Sequence, residues 1–316
     1  MTAYHHYLQK TGLMLVSLSV VSLLLAAPAQ AQLVRNMTVI PPSADYTVNP
    51  GDKIEGTLKM INDGDQPVTF RVDTRDYIVQ DTHGTPAILP PNTLNNRFSA
   101  ANWIGVVPNS FTVLPRQKQE LNFYLQIPAD AAPGGHYMAV VYTPIDNATS
   151  AGNSGATIQT QLGTIFRITV RGTINEYAFV SKIMAPFFQE NGPVAVAASI
   201  QNGGDLHIKP TGTIVVTDMF GRAVEEQQLP SENIFPTTTR DYALKVGSYW
   251  MFGRYQVRIL AQYGVNGNLP LTATVAFWVF PWRLAVLVTL ILVAVILGII
   301  LFLRRKKGPP MMPESM

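Results

Sequence analysis

Polar and apolar residues alternate along most of the chain, which is the pattern of β-strands half exposed to solvent. Residues 54–60 place Leu58 and Met60 on one face, and residues 66–73 repeat the alternation. Between them, Asn62-Asp63-Gly64-Asp65 consists of residues that favour tight turns. The pattern therefore predicts a β-hairpin closed at residues 62–65.

Further alternating segments follow at regular spacing, separated by Gly, Pro and Asn. They are residues 118–127, 136–143, 157–173, 194–201, 212–217, 242–246, 253–262 and 271–279. Short strands with such punctuation, and no amphipathic helix, predict an all-β protein of two immunoglobulin-like β-sandwich domains. A segment rich in Asn, Ser, Gly, Ala and Thr, residues 146–156, predicts an exposed mobile loop within a hairpin of the first domain.

The expected domain boundary falls near residues 172–175, which gives a first domain over 32–173 and a second over 174–280. Each half contains an apolar strand, an Asn-containing turn (62–65 and 202–205) and a second strand. This likeness fits a repeated sandwich unit, and it also fits two unrelated hairpins with the same turn chemistry. Asp218-Met219-Phe220-Gly221 predicts a further tight hairpin turn.

The two ends of the chain indicate export and membrane attachment. Lys10 precedes an apolar run over 13–27, and small residues at 29 and 31 predict signal-peptide cleavage after Ala31, so that 1–31 is removed. The alternative is an uncleaved N-terminal anchor. Near the other end, 284–303 is a run of uncharged apolar residues long enough, at about 30 Å, to span a bilayer.

The flanks of this second apolar run predict its orientation. Trp278 and Trp282 precede it, where amphipathic rings favour the membrane interface, and four basic residues at 304–307 follow it. Basic flanks stay cytoplasmic, so 304–316 is expected to be a cytoplasmic tail. The sequence thus predicts a single-pass protein of the cell membrane with the bulk of the chain outside the cytoplasm.

Composition excludes several functional classes. The 316 residues include no cysteine, which rules out disulfides, thiolate metal sites and a cysteine nucleophile. Hydrophobic residues make up 47% of the chain, which is too many for a disordered protein. Residues 32–280 contain 17 Lys and Arg against 19 Asp and Glu, a net charge of −2. A nucleic-acid-binding domain would carry a basic excess there, so no nucleic-acid partner is expected.

No pattern in the chain predicts catalysis. His83, His136 and His207 lie far apart without metal-ligand spacing, and there is no nucleophile elbow or phosphate-binding glycine loop. We therefore expect no catalytic residues, no resident metal and no cofactor. A hydrolase would become plausible if His136 or His207 met a carboxylate in a deep cleft. Asp63 and Asp65 fit turn formation better than calcium binding, which the sequence leaves open.

Exposed aromatic residues are the best candidates for ligand contact. Tyr249, Trp250, Met251 and Phe252 form a run of four large side chains that cannot all face one core. Tyr249, Trp250 and Phe252 are therefore predicted to contact a ligand, because exposed aromatics suit sugar or protein binding. Trp103, in the middle of the first domain, is instead expected to be structural.

Several segments resemble a known family. They are Asn49-Pro50-Gly51-Asp52, Asn62 to Val68, Ile127 to Tyr137, Asn202 to His207, Phe252-Gly253-Arg254-Tyr255 and Phe277 to Trp282. In this order, and followed by the apolar run and basic stop, they resemble the WxL-interacting proteins of Gram-positive cell surfaces. The resemblance implies peptidoglycan binding by the first domain. It implies contact of the second domain with partner surface proteins or host ligands.

The sequence therefore predicts a non-enzymatic, membrane-anchored cell-surface protein that binds peptidoglycan, other surface proteins or both. The alternative is an accessory subunit of a membrane transport or secretion complex. The ligand, the oligomeric state and the relative orientation of the domains do not follow from the sequence.

Overall fold

A computed structural model of the chain describes residues 36–91, 93, 96–145 and 162–306. It consists of β-strands and one C-terminal α-helix, which confirms the predicted all-β fold class of two sandwich domains followed by a single apolar helix. The predicted signal peptide (1–31), the predicted loop (146–156) and residues 307–316 lie outside the described residues.

Ten strands and a short 3-10 helix at Ala101–Trp103 build the first sandwich. The strands are β1 (Met37–Ile40), β2 (Ser43–Val48), β3 (Lys53–Asn62), β4 (Val68–Val79), β5 (Pro86–Ile88), β6 (Ile104–Val107), β7 (Ser110–Val113), β8 (Lys118–Gln126), β9 (Gly134–Pro144) and β10 (Leu162–Val170). One sheet has the order β1-β3-β8-β6. The other has the order β2-β10-β9-β4-β5, with β7 also paired to β4.

The core of the first sandwich lies between these two sheets. Leu58 and Met60 of β3 are fully buried against Phe70 of β4 and Phe166 of β10. They are the alternate residues that the sequence pattern places inward, and alternation works here because each sheet has one face toward the core and one toward solvent.

The predicted hairpin at residues 62–65 is wrong. β3 pairs with β1 and β8, whereas β4 pairs with β5, β7 and β9, so the turn carries the chain from one sheet to the other. Alternation indicates which face of a strand is buried, but it does not indicate the neighbouring strand. The turn at 202–205 makes the same crossing, from β13 to β14 of the second sandwich.

Eight strands build the second sandwich: β11 (Ala178–Met184), β12 (Phe188–Gln189), β13 (Val194–Asn202), β14 (Thr211–Thr217), β15 (Ala223–Gln228), β16 (Thr239–Val246), β17 (Gly253–Tyr263) and β18 (Leu269–Val279). β11-β13-β16 form a three-stranded sheet and β12-β18-β17-β14-β15 form a five-stranded sheet. Val196 and Ile200 face Ile214, Ile259 and Phe277 across the core. The predicted hairpin turn at 218–221 joins β14 to β15 as expected.

The α-helix α1 covers Trp282–Lys306 and follows β18 after only Phe280 and Pro281. Its segment Trp282–Leu303 has 22 residues and a mean hydropathy of 3.4, and none of it is buried within the protein. By length and composition it can cross a membrane. The predicted span at 284–303 lies entirely within this helix.

Candidate functional site

The predicted ligand-binding residues lie in the loop between β16 and β17. Tyr249, Trp250 and Phe252 are exposed, and the rings of Tyr249 and Trp250 make an edge-to-face contact with centroids 5.1 Å apart. Met251 points the other way and is buried in the core of the second sandwich. The run of four large residues is thus divided between core and surface, while a ligand for the three exposed rings remains a prediction.

This loop belongs to a larger apolar surface at one end of the second sandwich. We call that surface the aromatic end and define it by the exposed residues Phe187, Phe188, Met219, Phe220, Tyr249, Trp250, Phe252, Trp278, Phe280 and Trp282. Strand pairing brings them together, because β17 starts at Gly253 opposite Val279, the last residue of β18. Met219 lies beside Gly253, and Phe252 contacts the ring of Phe280 at 5.4 Å.

A second feature is an apolar groove of about 700 Å³ in the three-stranded sheet. It is lined mainly by Ile183, Met184, Ala185, Pro186, Ala195, Ala197, Ala243, Lys245 and Val275. Ala195 and Ala197 are exposed on β13 and Ala243 is exposed on β16. Such small side chains leave an apolar depression where longer ones would fill the face of the sheet.

The groove lies where β11 stops short of the beginning of β13. Met184, the last residue of β11, pairs with Ala197, whereas Val194–Val196 pair only with β16 among the described residues. At this gap the groove is lined by Ile183 and Val275, which pack against the core of the second sandwich. We call the groove and the unaccompanied beginning of β13 the notch.

The two sandwiches meet through a small aromatic cluster. Phe235 of the second contacts Tyr137 and Tyr77 of the first, with ring centroids 5.0 and 5.8 Å apart. Beside this cluster the backbone N–H of His207 donates to the hydroxyl of Tyr137 at 2.9 Å, and the same hydroxyl lies 3.2 Å from Nδ1 of His207.

Polar contacts surround this cluster. Arg97 forms an ion pair with Asp205 at 2.9 Å, and the backbone N–H of Gly135 donates to the carbonyl of Asp205. Asp241 N–H donates to the carbonyl of Thr82 at the same junction.

Among the described residues, neither buried His136 nor half-buried His207 pairs with a carboxylate, as the histidine of a hydrolase would. Nε2 of His136 contacts the carbonyl of Ala132, and its ring packs 4.3 Å from Trp103, which is partly buried. Burial lowers the pKa of His207 to about 4, with the Arg167 guanidinium lowering it further, and burial also lowers the pKa of His136. Both rings are therefore neutral at pH 7 and serve packing and hydrogen bonding.

The predicted turn at 62–65 is held by a buried side chain. Asn62 donates to the carbonyls of Gln66 and Val113 and accepts from the N–H of Gly64. Asp65 forms an ion pair with Arg116. Within the described part of the chain, no three His, Asp or Glu side chains are grouped so as to hold a metal ion.

The notch and the contact between the sandwiches were not predicted from the sequence. A usable signal for the notch is Val194-Ala195-Val196-Ala197-Ala198, where alanines stand at the polar positions of an alternating strand. The contact between the sandwiches joins Tyr137 to His207 and Phe235, and no local pattern connects residues so distant in sequence.

Comparisons with known proteins found matches among solved structures alone. No family model and no curated protein matches it. Among solved structures, the Class 5 fimbriae chaperone CfaA matches with a TM-score of 0.40 and 11% identity, covering 76% of this chain and 98% of that one. The E. coli chaperone DraB matches at 0.35 and 15%, covering 76% and 98%. At these values the likeness supports no inference about partners.

Proposed function

We propose that this chain is a non-enzymatic, membrane-anchored protein whose second sandwich binds an extended segment of a partner protein in the notch. The observation that supports the proposal is the apolar groove beside the unaccompanied beginning of β13.

The shape of the notch favours an extended polypeptide over a helix. Within the described part of the chain, Val194–Val196 have a strand partner on the β16 side only, so an added strand can pair with them beyond the end of β11. In this mode main-chain hydrogen bonds supply affinity, and alternate side chains of the peptide fill pockets. Ala195 and Ala197 allow the partner's backbone to lie close to the sheet.

The side chains around the notch define the chemistry of the partner segment. The lining is apolar apart from Lys245, which is exposed on β16 and has no ion pair among the described residues. Met184, exposed at the rim, is flexible and adapts to apolar side chains of different shape. We therefore expect an alternating apolar segment with an acidic residue placed to meet Lys245.

The test is site-specific photocrosslinking of the full chain in intact membranes. A benzophenone amino acid at position 184 should yield one crosslinked partner, identified by mass spectrometry. Ala195→Arg, which fills the groove with a charged side chain, should reduce that product about tenfold. The matched control is Ala223→Arg, another exposed strand alanine of the same domain but in the other sheet. Equal crosslinking in both variants would contradict the proposal.

Peptidoglycan is the second candidate partner, favoured by the exposed rings of Tyr249 and Trp250. Aromatic faces can pack on sugar rings. The full chain in detergent should then sediment with insoluble peptidoglycan in a salt-resistant way, and a Tyr249→Ala, Trp250→Ala variant should not. Tyr124→Ala, an exposed tyrosine of the first sandwich, is the control. No sedimentation of the wild-type chain would remove this candidate.

An accessory role in a transport or secretion complex is the remaining alternative. The accessory-subunit hypothesis differs from the surface-protein hypothesis only in the identity of the partner. The crosslinking experiment separates the two, because the product from position 184 would be a membrane-embedded subunit in one case and an exported surface protein in the other.

A further inference from the structure

The end of the second sandwich from which α1 leaves is unusually apolar. The aromatic end exposes ten large apolar side chains, and four of them are two-thirds or more accessible: Phe187 at 79%, Phe220 at 76%, Trp250 at 73% and Phe252 at 66%. Soluble proteins rarely expose a large contiguous apolar patch, and such patches mark sites of protein or membrane contact.

Four separate segments of the chain build this surface. Phe187 and Phe188 precede β13, Met219 and Phe220 form the β14–β15 turn, and Tyr249, Trp250 and Phe252 belong to the β16–β17 loop. Trp278 and Phe280 lie at the end of β18, and Trp282 begins α1. The backbone N–H of Trp278 donates to the carbonyl of Phe187, which fixes two of these parts to each other. The patch is therefore a property of the folded domain.

Two arginines at the aromatic end form ion pairs with carboxylates and remain largely exposed. The guanidinium of Arg222 lies 5.4 Å from the ring centroid of Phe220, and that of Arg283 lies 5.6 Å from that of Trp282. The neighbouring carboxylates are already engaged: Asp218 pairs with Arg222 and Glu190 pairs with Arg283. Both arginine side chains remain about three-quarters exposed.

We infer that the aromatic end rests on the surface of the bilayer that α1 enters, with its rings in the lipid interface and Arg222 and Arg283 at the headgroups. Tryptophan, tyrosine and arginine at this level are typical of membrane interfaces. Trp282 belongs to both the aromatic end and α1, so the patch is continuous with the apolar helix.

The short connection between β18 and α1 favours contact of the aromatic end with lipid over its burial by another protein. Only Phe280 and Pro281 separate the last strand residue, Val279, from Trp282. Such a connection spans at most about 11 Å. The interfacial zone is itself about 5–7 Å thick on each side of the hydrocarbon core. The domain therefore cannot rise far from the bilayer once α1 is inserted.

This inference is independent of the partner proposed for the notch, but it conflicts with sugar binding by Trp250. A ring in the lipid interface is not available to a wall polymer. The sugar-binding hypothesis and the lipid-contact hypothesis therefore make opposite predictions for the environment of Trp250 in the anchored protein.

The test uses the full chain in phosphatidylcholine vesicles and its four tryptophans. A chain with Trp103→Phe, Trp278→Phe and Trp282→Phe leaves Trp250 as the only indole. Lipids brominated near the glycerol end of the acyl chains should quench its fluorescence at least about twofold. The matched chain that keeps only Trp103, in the first sandwich, should not be quenched. Equal quenching of the two chains would overturn the inference.

A second measurement guards against misfolding of the tryptophan variants. The chain lacks cysteine, so one nitroxide label can be attached at a single introduced thiol. A label at Phe220→Cys should collide more with membrane-soluble oxygen than with a water-soluble nickel complex, and a label at exposed Val107→Cys of the first sandwich should show the reverse. Preferential collision with nickel at both positions would also overturn the inference.

Discussion

Two buried asparagines stabilise the turns at which the chain passes from one sheet of a sandwich to the other. Asn62 and Asn202 are each about fully buried, and each donates twice to backbone carbonyls and accepts once from a glycine N–H two residues later. For Asn202 the acceptors are the carbonyls of Leu206 and Ile234. The identical pattern at corresponding crossings favours a repeated sandwich unit over two unrelated turns that share the same chemistry.

We expect Asn202→Ala to lower the free energy of unfolding by about 2 kcal/mol, because the buried N–H of Gly204 and the buried carbonyl of Leu206 lose their partner. The carbonyl of Ile234 loses one of its two hydrogen bonds and keeps the one from the N–H of Ile208. Urea denaturation of the full chain in detergent measures the change. Asn122→Ala, on the exposed face of β8, is the control and should change stability by less than about 0.5 kcal/mol. Equal effects at the two sites would show that the buried bonds contribute little.

The lowered pKa of His207 predicts that the free energy of unfolding falls in acid. Burial lowers its pKa from 6.5 to about 4 in the folded protein, so the unfolded chain binds the proton more tightly. The stabilisation is therefore complete above pH 6.5 and is lost as the pH falls toward 4, by at most roughly 3 kcal/mol. His136, whose pKa is also lowered, acts in the same direction.

Unfolding free energies measured between pH 7 and pH 4 test this prediction. His207→Gln removes the titrating group and should flatten the decline relative to the wild type. The control, His83→Gln, changes an exposed histidine and should leave the decline as it is. An unchanged slope in His207→Gln would assign the acid sensitivity to other groups.

At the scale of elements, alternation predicts strands well and their neighbours poorly. Residues such as Leu121, Phe123 and Leu125 of β8 are buried as the pattern indicates. The pattern does not say that β3 and β4 belong to different sheets, because a turn of Asn, Asp and Gly serves a hairpin and a crossing equally well. The notch was missed because exposed alanines give no contrast between apolar and polar faces.

The orientation of α1 can be tested with single thiols. The basic residues at 304–307 predict a cytoplasmic C-terminal end. In sealed membrane vesicles with the outer face exposed, a membrane-impermeant maleimide should label Ser110→Cys on β7. It should label Ser315→Cys only after the vesicles are permeabilised. Because the native chain has no cysteine, there is no background labelling. Immediate labelling of Ser315→Cys would reverse the topology.

At the scale of the whole molecule, the contact between the sandwiches determines whether the second domain carries the first at a defined angle. Tyr137 is central to this contact, because it touches Phe235 and Tyr77 and also hydrogen-bonds the backbone of His207. Such a cluster of buried rings with a satisfied hydroxyl is a specific contact, and its geometry comes from both domains at once. The sequence could not predict it from either half alone.

Phe235→Ala should therefore loosen one domain against the other without unfolding either. Phe235 sits among Tyr77, Tyr137 and His207 and contributes little to the main core of the second sandwich. Spin labels at Ser110→Cys and Ala223→Cys, one on each domain, report the distance between them. The distance distribution should be narrow in the otherwise native chain and broad in Phe235→Ala. Phe179→Ala, an exposed phenylalanine of β11, is the control and should keep the narrow distribution.

A narrow distribution in Phe235→Ala would mean that polar contacts hold the orientation instead. The candidates are the Arg97–Asp205 ion pair and the Gly135 hydrogen bond to Asp205. Arg97→Ala combined with Phe235→Ala distinguishes the two cases, since only a polar contact would make the distance distribution of the double variant broader than that of Phe235→Ala.

A rigid junction above a second domain that rests on the bilayer would hold the first domain at a fixed height over the membrane. Any partner bound in the notch would then lie between the bilayer and the first sandwich.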